Sequence, residues 1–529
     1  MSLRRRLGLS AFSGVLLALA FPKVGFAPAA FVALVPLLIA LHGASRRVGF
    51  MCGHVAGTVQ GFWLLFWVSD VLTVHGGASL PVALVLTLAL AVAFGLFPAA
   101  FGALQAHADL AFGVRALWLA PFLFVTCEFL REHLLFGFPW VLLGYSQVDF
   151  PEFIQVASFT AVHGVSFLLV AASSGVAHAL LNPRPFERRL GITAPALLIS
   201  AALAYGHGRL QQPLIADASF SVGVIQASIP QDQKWDRALL QSNIDQHIAL
   251  SREAAGRQAR LIVWPESAVA YELDLYPEVL KQITAFTEEE GVFLMTGNDD
   301  RERDAAGTMR SYVGAKLLSP EGSILLRYHK IRLVPFGEYL PVPEAVSRVL
   351  PIGRLVESVS DFTPGTKAVT GRALGVTMGV FICYEAIFPS LVRRFPANGA
   401  QLLVNVTNDG WYGTSAAPYQ HYAMARFRAV ENRRFLVRAA NTGISAIVDP
   451  FGRELARTRL MEKRALVGDV RAISETTFYA RHGDVFAWLV AAFAALSIAA
   501  ASLLVASRSN KLPVPEPIST RPEESEHPH

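Results

Sequence analysis

The 529-residue chain contains three cysteines, and only Cys383 stands outside a long apolar run. It lies in GVFICYEAIFPS, a pattern that puts the thiol at the carboxyl end of a strand, just before a helix. Ligands in open α/β sheets gather at such ends, and a helix N-terminus favours the thiolate. Glu266, in LIVWPES, stands at a second strand end. A carboxylate held in apolar surroundings has a raised pKa, suited to removing a thiol proton. Lys330, in RYHKIRLVPFGEYLP, supplies an ammonium that can stabilise a tetrahedral oxyanion or lower a thiol's pKa. Glu338, eight residues further on, is a second acid able to orient Lys330 or the base. Taken singly, each residue has an ordinary explanation: an inert buried thiol, a turn acid after Pro265, a solvated lysine. Together, a nucleophile, a base and a cationic stabiliser are the minimum set for acyl transfer through a thioester.

These residues need a scaffold, and residues 215–475 read as a single α/β domain. Strand-like runs fall near 220–229, 259–264, 291–297, 311–318, 323–329, 374–383, 401–406, 434–440, 443–449 and 465–470. Helical patterns at 236–258, 276–289 and 417–433 interrupt them, as in a layered α/β fold. A domain of roughly 260 residues can hold a full core of its own. The insert 340–362 breaks the rhythm with three prolines and scattered apolar residues, among them Leu350 and Leu355. It reads either as a surface loop or as a lid dipping into a lipid leaflet.

The rest of the chain is of a different character. The whole is 53% hydrophobic and only 16% charged, with a mean hydropathy of +0.40, against about 25% charged in ordinary soluble proteins. Apolar runs near 8–22, 25–43, 48–68, 80–106, 114–134, 155–182, 190–206 and 484–507 approach the roughly 20 residues that span a bilayer. The run after Arg4-Arg5-Arg6 resembles a signal peptide, but no clean cleavage site closes it and more spans follow, so it is read as retained. The expected organisation is a membrane domain over 1–210 with about seven spans, the α/β domain over 215–475, an eighth span over 484–507 and a tail over 508–529. With both termini in the cytoplasm, inside loops collect Arg46, Arg47, Arg115, Arg184, Arg188 and Arg189. Outside loops then carry only Lys23 and Arg131, so the α/β domain is expected outside. Residues 136–150 are apolar but broken by Pro139, as in an outer-face or re-entrant loop. His54, Asp70, Glu128, Glu132 and His133 lie within or near spans, and Glu128 is spaced to pair with Arg131.

Composition also excludes several classes. Three cysteines without zinc spacing argue against a disulfide framework or a structural metal. The net charge of +5 shows no aromatic-basic interleaving suited to nucleic acid.

LIVWPES, YHKIRLVPFGEYLP, ICYEAIFP, NVTNDGWYG and RAVENRRFLVRAANTG occur in that order. They resemble the nitrilase superfamily, which implies a nitrilase-like αββα sandwich and a Glu-Lys-Cys catalytic set. The surrounding spans, together with IPQxxKW at 229–235, make the chain resemble the membrane-embedded apolipoprotein N-acyltransferases. The fold expected is therefore a multi-span α-helical membrane bundle plus an α/β domain. The resemblance implies catalytic roles for Glu266, Lys330 and Cys383, and supporting or substrate-binding roles for Trp235, Glu338, Tyr384 and Glu385. Trp235 and Tyr384 would line an apolar cleft that keeps water off a thioester. Ala270 stands where family members often carry proline, and Gly410 replaces a common alanine.

The implied reaction is a ping-pong exchange that needs no cofactor. An acyl chain passes from a phospholipid such as phosphatidylethanolamine to Cys383, then to the amine of a diacylglyceryl-cysteine apolipoprotein. The implied location is the bacterial inner membrane, with a periplasmic catalytic domain. A membrane-tethered amidase shares the same three residues but needs one anchor rather than eight spans. A transporter carrying a ligand-binding domain would show repeats, and none is evident.

Overall fold

The apolar runs fold as helices that pack into a bundle, and the polar middle folds as two stacked sheets beside it. The structure, a computed structural model, describes residues 1–134, 137–270, 273–304, 307–340 and 362–509. The insert expected to be a loop or lid and the C-terminal tail lie outside the described residues, apart from their edges.

In the bundle, the helix Arg46–Leu64 sits centrally and packs against Leu3–Leu19, Leu80–Phe94 and Leu96–Phe112. Gly49, Gly53, Gly57 and Gly61 recur on it every fourth residue, on one face. A side chain at Gly53 would put its Cβ 2.0 Å from the Pro98 carbonyl oxygen. The two backbones approach as closely as glycine allows. The chain reverses between Leu96–Phe112 and Ala120–His133, which lie side by side. Four described helices are long and apolar enough to cross a membrane, or five if Arg46–Leu64 and Trp67–Val74, bent by 50°, count as one span.

Glu128 and Arg131 are both buried, but among the described residues no ion pair joins them. Glu128 instead accepts from the Leu143 N–H at 2.7 Å, and Arg131 donates to the Trp140 carbonyl at 3.2 Å. The described part of the 136–150 segment is thus stitched into the bundle. Trp140, Leu142, Leu143 and Tyr145 are all buried.

The α/β domain has twelve described strands: β1 (Ala218–Gln226), β2 (Leu261–Val263), β3 (Phe293–Arg303), β4 (Met309–Leu318), β5 (Ile324–His329), β6 (Thr370–Ala373), β7 (Val376–Ile382), β8 (Leu402–Thr407), β9 (Phe435–Ala440), β10 (Ala446–Val448), β11 (Glu454–Arg457) and β12 (Arg464–Ala472). One sheet runs β12-β1-β2-β3-β4-β5 and the other β11-β10-β9-β8-β7-β6. The short β6 and β11 edge strands had no signal of their own in the sequence. Val222, Val224, Leu261, Val263 and Met295 of the first sheet meet Met378, Val380, Leu403, Val404 and Val437 of the second in one core. Helices Leu240–Gly256 and Pro277–Glu290 cover the outer face of the first sheet. Helix Ala417–Asn432 covers the second and packs on the bundle through Met424, Phe427 and Val430. The layers are the expected αββα sandwich joined to a multi-span helical bundle. Every residue of Ala417–Asn432 except Tyr419 is buried, because both sides of that helix meet protein.

Candidate active site

Three strand ends of two sheets deliver the side chains of the expected Glu-Lys-Cys set. Glu266 follows β2, Lys330 follows β5 and Cys383 follows β7. Parallel pairing of β2 with β3, and of β7 with β8, aligns these ends on one edge. Each of the three loops also contains a non-glycine residue in the left-handed region. Ser267 has φ +45°, Phe336 φ +61° and Cys383 itself φ +47°. Such residues cost about 1–3 kcal/mol each and persist only where the surroundings force them. Gly297 on β3 makes room for the first loop, since a Cβ there would lie 2.6 Å from Glu266 Cα.

Lys330 Nζ donates to Glu266 Oε1 at 3.0 Å and to Glu338 Oε1 at 2.5 Å. The Asn408 N–H donates to the other Glu266 oxygen at 2.8 Å, and the Val334 N–H to the other Glu338 oxygen at 2.9 Å. Glu266 is therefore held in polar, fully engaged surroundings rather than the apolar ones expected. Burial disfavours the Lys330 ammonium, but Glu266 and Glu338 outweigh it and hold its pKa well above the usual lysine range. Burial raises Glu338 despite Lys330 beside it.

Cys383 is buried and feels both neighbours. Burial and the Glu266 charge push its thiol up, and Lys330 opposes them only in part. The expected help from a helix N-terminus is small, because only a five-residue 3-10 turn, Cys383–Ile387, follows. The thiol thus rests protonated.

The supporting residues divide. Glu338 accepts from Lys330. Among the described residues, Glu385 makes no hydrogen bond to Glu266, Lys330 or Cys383. It accepts from Tyr328 Oη at 2.7 Å, Ile331 N at 2.6 Å and Ile382 N at 2.7 Å, tying the Lys330 loop to the cysteine turn. Tyr384 is buried with its ring against Phe388. Trp235 is 40% exposed.

Other residues at this edge escaped sequence reasoning. Lys234 is buried and donates to the Glu266 carbonyl at 2.6 Å. Burial lowers its pKa to about 8, against the pull of Glu266, Asp299 and Cys383. It sits beside Trp235, so IPQxxKW carried the signal, but a lysine there reads equally well as solvated. Asn408, Asp409 and His421 come from NVTNDGWYG and the helix that follows. Asp300, Glu302 and His329 lie close enough together to hold a cation. Lys316 and Arg327, at 3.2 and 3.3 Å, already neutralise Asp300.

An αββα sandwich with a Glu-Lys-Cys constellation at its strand ends, set on an apolar helical bundle, defines a membrane-embedded protein of the nitrilase class. Residues 221–476 match the carbon-nitrogen hydrolase family, and residues 13–175 match the apolipoprotein N-acyltransferase N-terminal domain. The apolipoprotein N-acyltransferase of Geobacter metallireducens is 38% identical over 509 residues, covering 94% of this chain and 95% of that protein. That of Brucella melitensis is 35% identical over 473 residues, covering 85% and 86%. Among solved structures, the nitrilase-superfamily protein Nit3 of Saccharomyces cerevisiae aligns at 18% identity and TM-score 0.37, over 49% of this chain and 93% of that one. The chain belongs to the apolipoprotein N-acyltransferase family, and it is an acyltransferase.

Proposed function

We propose that the chain moves an acyl chain from a phospholipid to the N-terminal amine of a diacylglyceryl-cysteine apolipoprotein, through a thioester on Cys383. The observation that carries this reading is Lys330 bridging Glu266 and Glu338 beside the buried Cys383 thiol. Glu266 takes the thiol proton as sulfur attacks the ester carbonyl. Lys330 stabilises the oxyanion. Collapse breaks the ester C–O bond, and Glu266 returns the proton to the departing lysophospholipid oxygen. The acceptor amine then attacks the thioester, gives a proton to Glu266, and leaves an amide while Cys383 recovers its thiol. Phosphatidylethanolamine is the proposed donor.

The same reading places residues 1–210 in the membrane with about seven spans and residues 215–475 in the periplasm. Residues 484–507 then return the chain, and both termini lie in the cytoplasm of a bacterial inner membrane. Support comes from the arginine bias of the loops and from helix Ala417–Asn432, which seats the catalytic domain on the bundle. Trp235, Tyr384 and Glu385 complete the proposed site, the first two as cleft lining and the third as a brace.

The deciding measurement is intact mass after incubation with phosphatidylethanolamine, with Cys383→Ala in parallel. A hydroxylamine-labile acyl adduct on the wild type alone is expected. Release of free fatty acid with no transfer to an acceptor peptide would instead make the protein a hydrolase.

A further inference from the structure

Beneath Cys383 lies a second buried constellation that the proposed chemistry does not use. His421, on helix Ala417–Asn432, places Nε2 3.0 Å from the Cys383 carbonyl oxygen. Its Nδ1 lies 2.9 Å from Asp409 Oδ1. Arg438 Nη2 donates to the other Asp409 oxygen at 2.8 Å, and Thr407 Oγ1 to the first at 3.1 Å. Burial opposes ionisation of Asp409, but Arg438 and His421 hold its pKa down to about 2. His421, Asp409 and Arg438 have no exposed surface. The Cys383 carbonyl can only accept, so His421 Nε2 faces it as the donor, while Nδ1 lies between Asp409 Oδ1 and Arg438 Nη2, the latter at 3.2 Å. The Trp140 ring, from the membrane bundle, stacks on the imidazole at 5.9 Å and 23°.

A trans peptide is planar, with its C=O and N–H on opposite sides. Tying the Cys383 carbonyl to His421 therefore turns the Tyr384 N–H the other way. The first N–H groups of a helical turn have no acceptor within the turn, and Tyr384 is second in its own. Cys383 holds φ +47° there, a conformation that the bond to its carbonyl helps to enforce.

We propose that His421 is a positioning residue that fixes the Cys383–Tyr384 peptide, so that the Tyr384 N–H joins Lys330 in holding the oxyanion of the acyl group. The inference rests on the thioester reading of Cys383. Asp409 and Arg438 orient the imidazole, and Trp140 closes its outer face.

The test uses the full-length protein in micelles containing phosphatidylethanolamine, with the rate of adduct formation followed by intact mass. The amide nitrogen of glutamine falls where His421 Nε2 is and can still donate to the Cys383 carbonyl. The amide nitrogen of asparagine falls where Nδ1 is and reaches only Asp409. His421→Asn is expected to slow acylation at saturating lipid by ~100-fold, the size of one lost oxyanion donor, with the half-saturating lipid concentration unchanged. His421→Gln is expected to stay within ~10-fold of wild type. Thermal melts of both variants correct the rates for the folded fraction. Equal corrected rates for Gln and Asn would overturn the positioning role while leaving the thioester intact. An adduct that persists in Cys383→Ala would overturn the thioester reading, and this inference with it.

Discussion

Cys383 is a thiol that its surroundings make harder to ionise, and in the proposed chemistry Glu266 takes its proton as the bond to carbon forms. Burial and Glu266 raise it, so a free thiolate is not the resting state. Lys330, clamped by two carboxylates, keeps its charge far into the alkaline range. Loss of the Lys330 charge, the natural expectation for an alkaline limit, therefore does not set one. Lys234, whose pKa burial lowers to about 8, is the group expected to set one. Below that pH its ammonium favours negative charge on Cys383, and above it the help is lost. The acylation rate is expected to fall as pH rises through about 8. Lys234→Met should abolish that step and lower the plateau roughly 10-fold, the worth of about 1.4 kcal/mol. A pH profile of adduct formation checks this. An unchanged step in the variant would assign it to another group. Glu266, Lys330, Cys383 and Glu338 were legible because each follows a strand run or lies a fixed short step from one that does. Lys234 was not, since only the fold buries it against the Glu266 carbonyl.

The elements position these residues by close backbone approach. In the bundle, the glycine face of Arg46–Leu64 lets Leu96–Phe112 pack at backbone distance. Gly53→Leu should drive a side chain into the Pro98 carbonyl and lower the melting temperature in detergent by several degrees or abolish folding. Gly8, which faces open space, offers the matched control. Gly8→Leu should leave the melt unchanged, and equal losses at both positions would dismiss packing as the cause. The apolar runs announced these helices, and the strand runs announced most of the sheet. The edge strands β6 and β11 were silent, because four residues at a sheet edge carry too little alternation to read.

At the scale of the molecule, helix Ala417–Asn432 fastens the catalytic domain to the bundle. Arg428 Nη2 pairs with Glu431 at 2.8 Å and donates to Tyr145 Oη at 2.8 Å, and Glu431 accepts from the Val162 N–H at 3.2 Å. Val162 follows the break at Ala161, whose φ is +53°. Every one of these groups is buried. Glu431→Ala should cost about 3–5 kcal/mol, because it strands a buried guanidinium. The double variant Arg428→Met/Glu431→Leu should recover much of that loss, and unfolding in detergent as a double-mutant cycle measures both. A loss that adds across the two positions would show that the pair does not act as a unit.

The sequence alone determined the class of fold and the membrane character, and it singled out the Glu-Lys-Cys set that the structure brings to one edge. Apolar length, alternation and strand-end turns are local properties, and each reactive residue sat in its own short motif. The tertiary structure decided which further groups meet that set. Asn408 reaches Glu266 across 142 residues, His421 reaches the Cys383 carbonyl across 38, and Trp140 crosses from the bundle to stack on His421. Such contacts depend on how two sheets and a bundle converge, and no local pattern encodes that convergence.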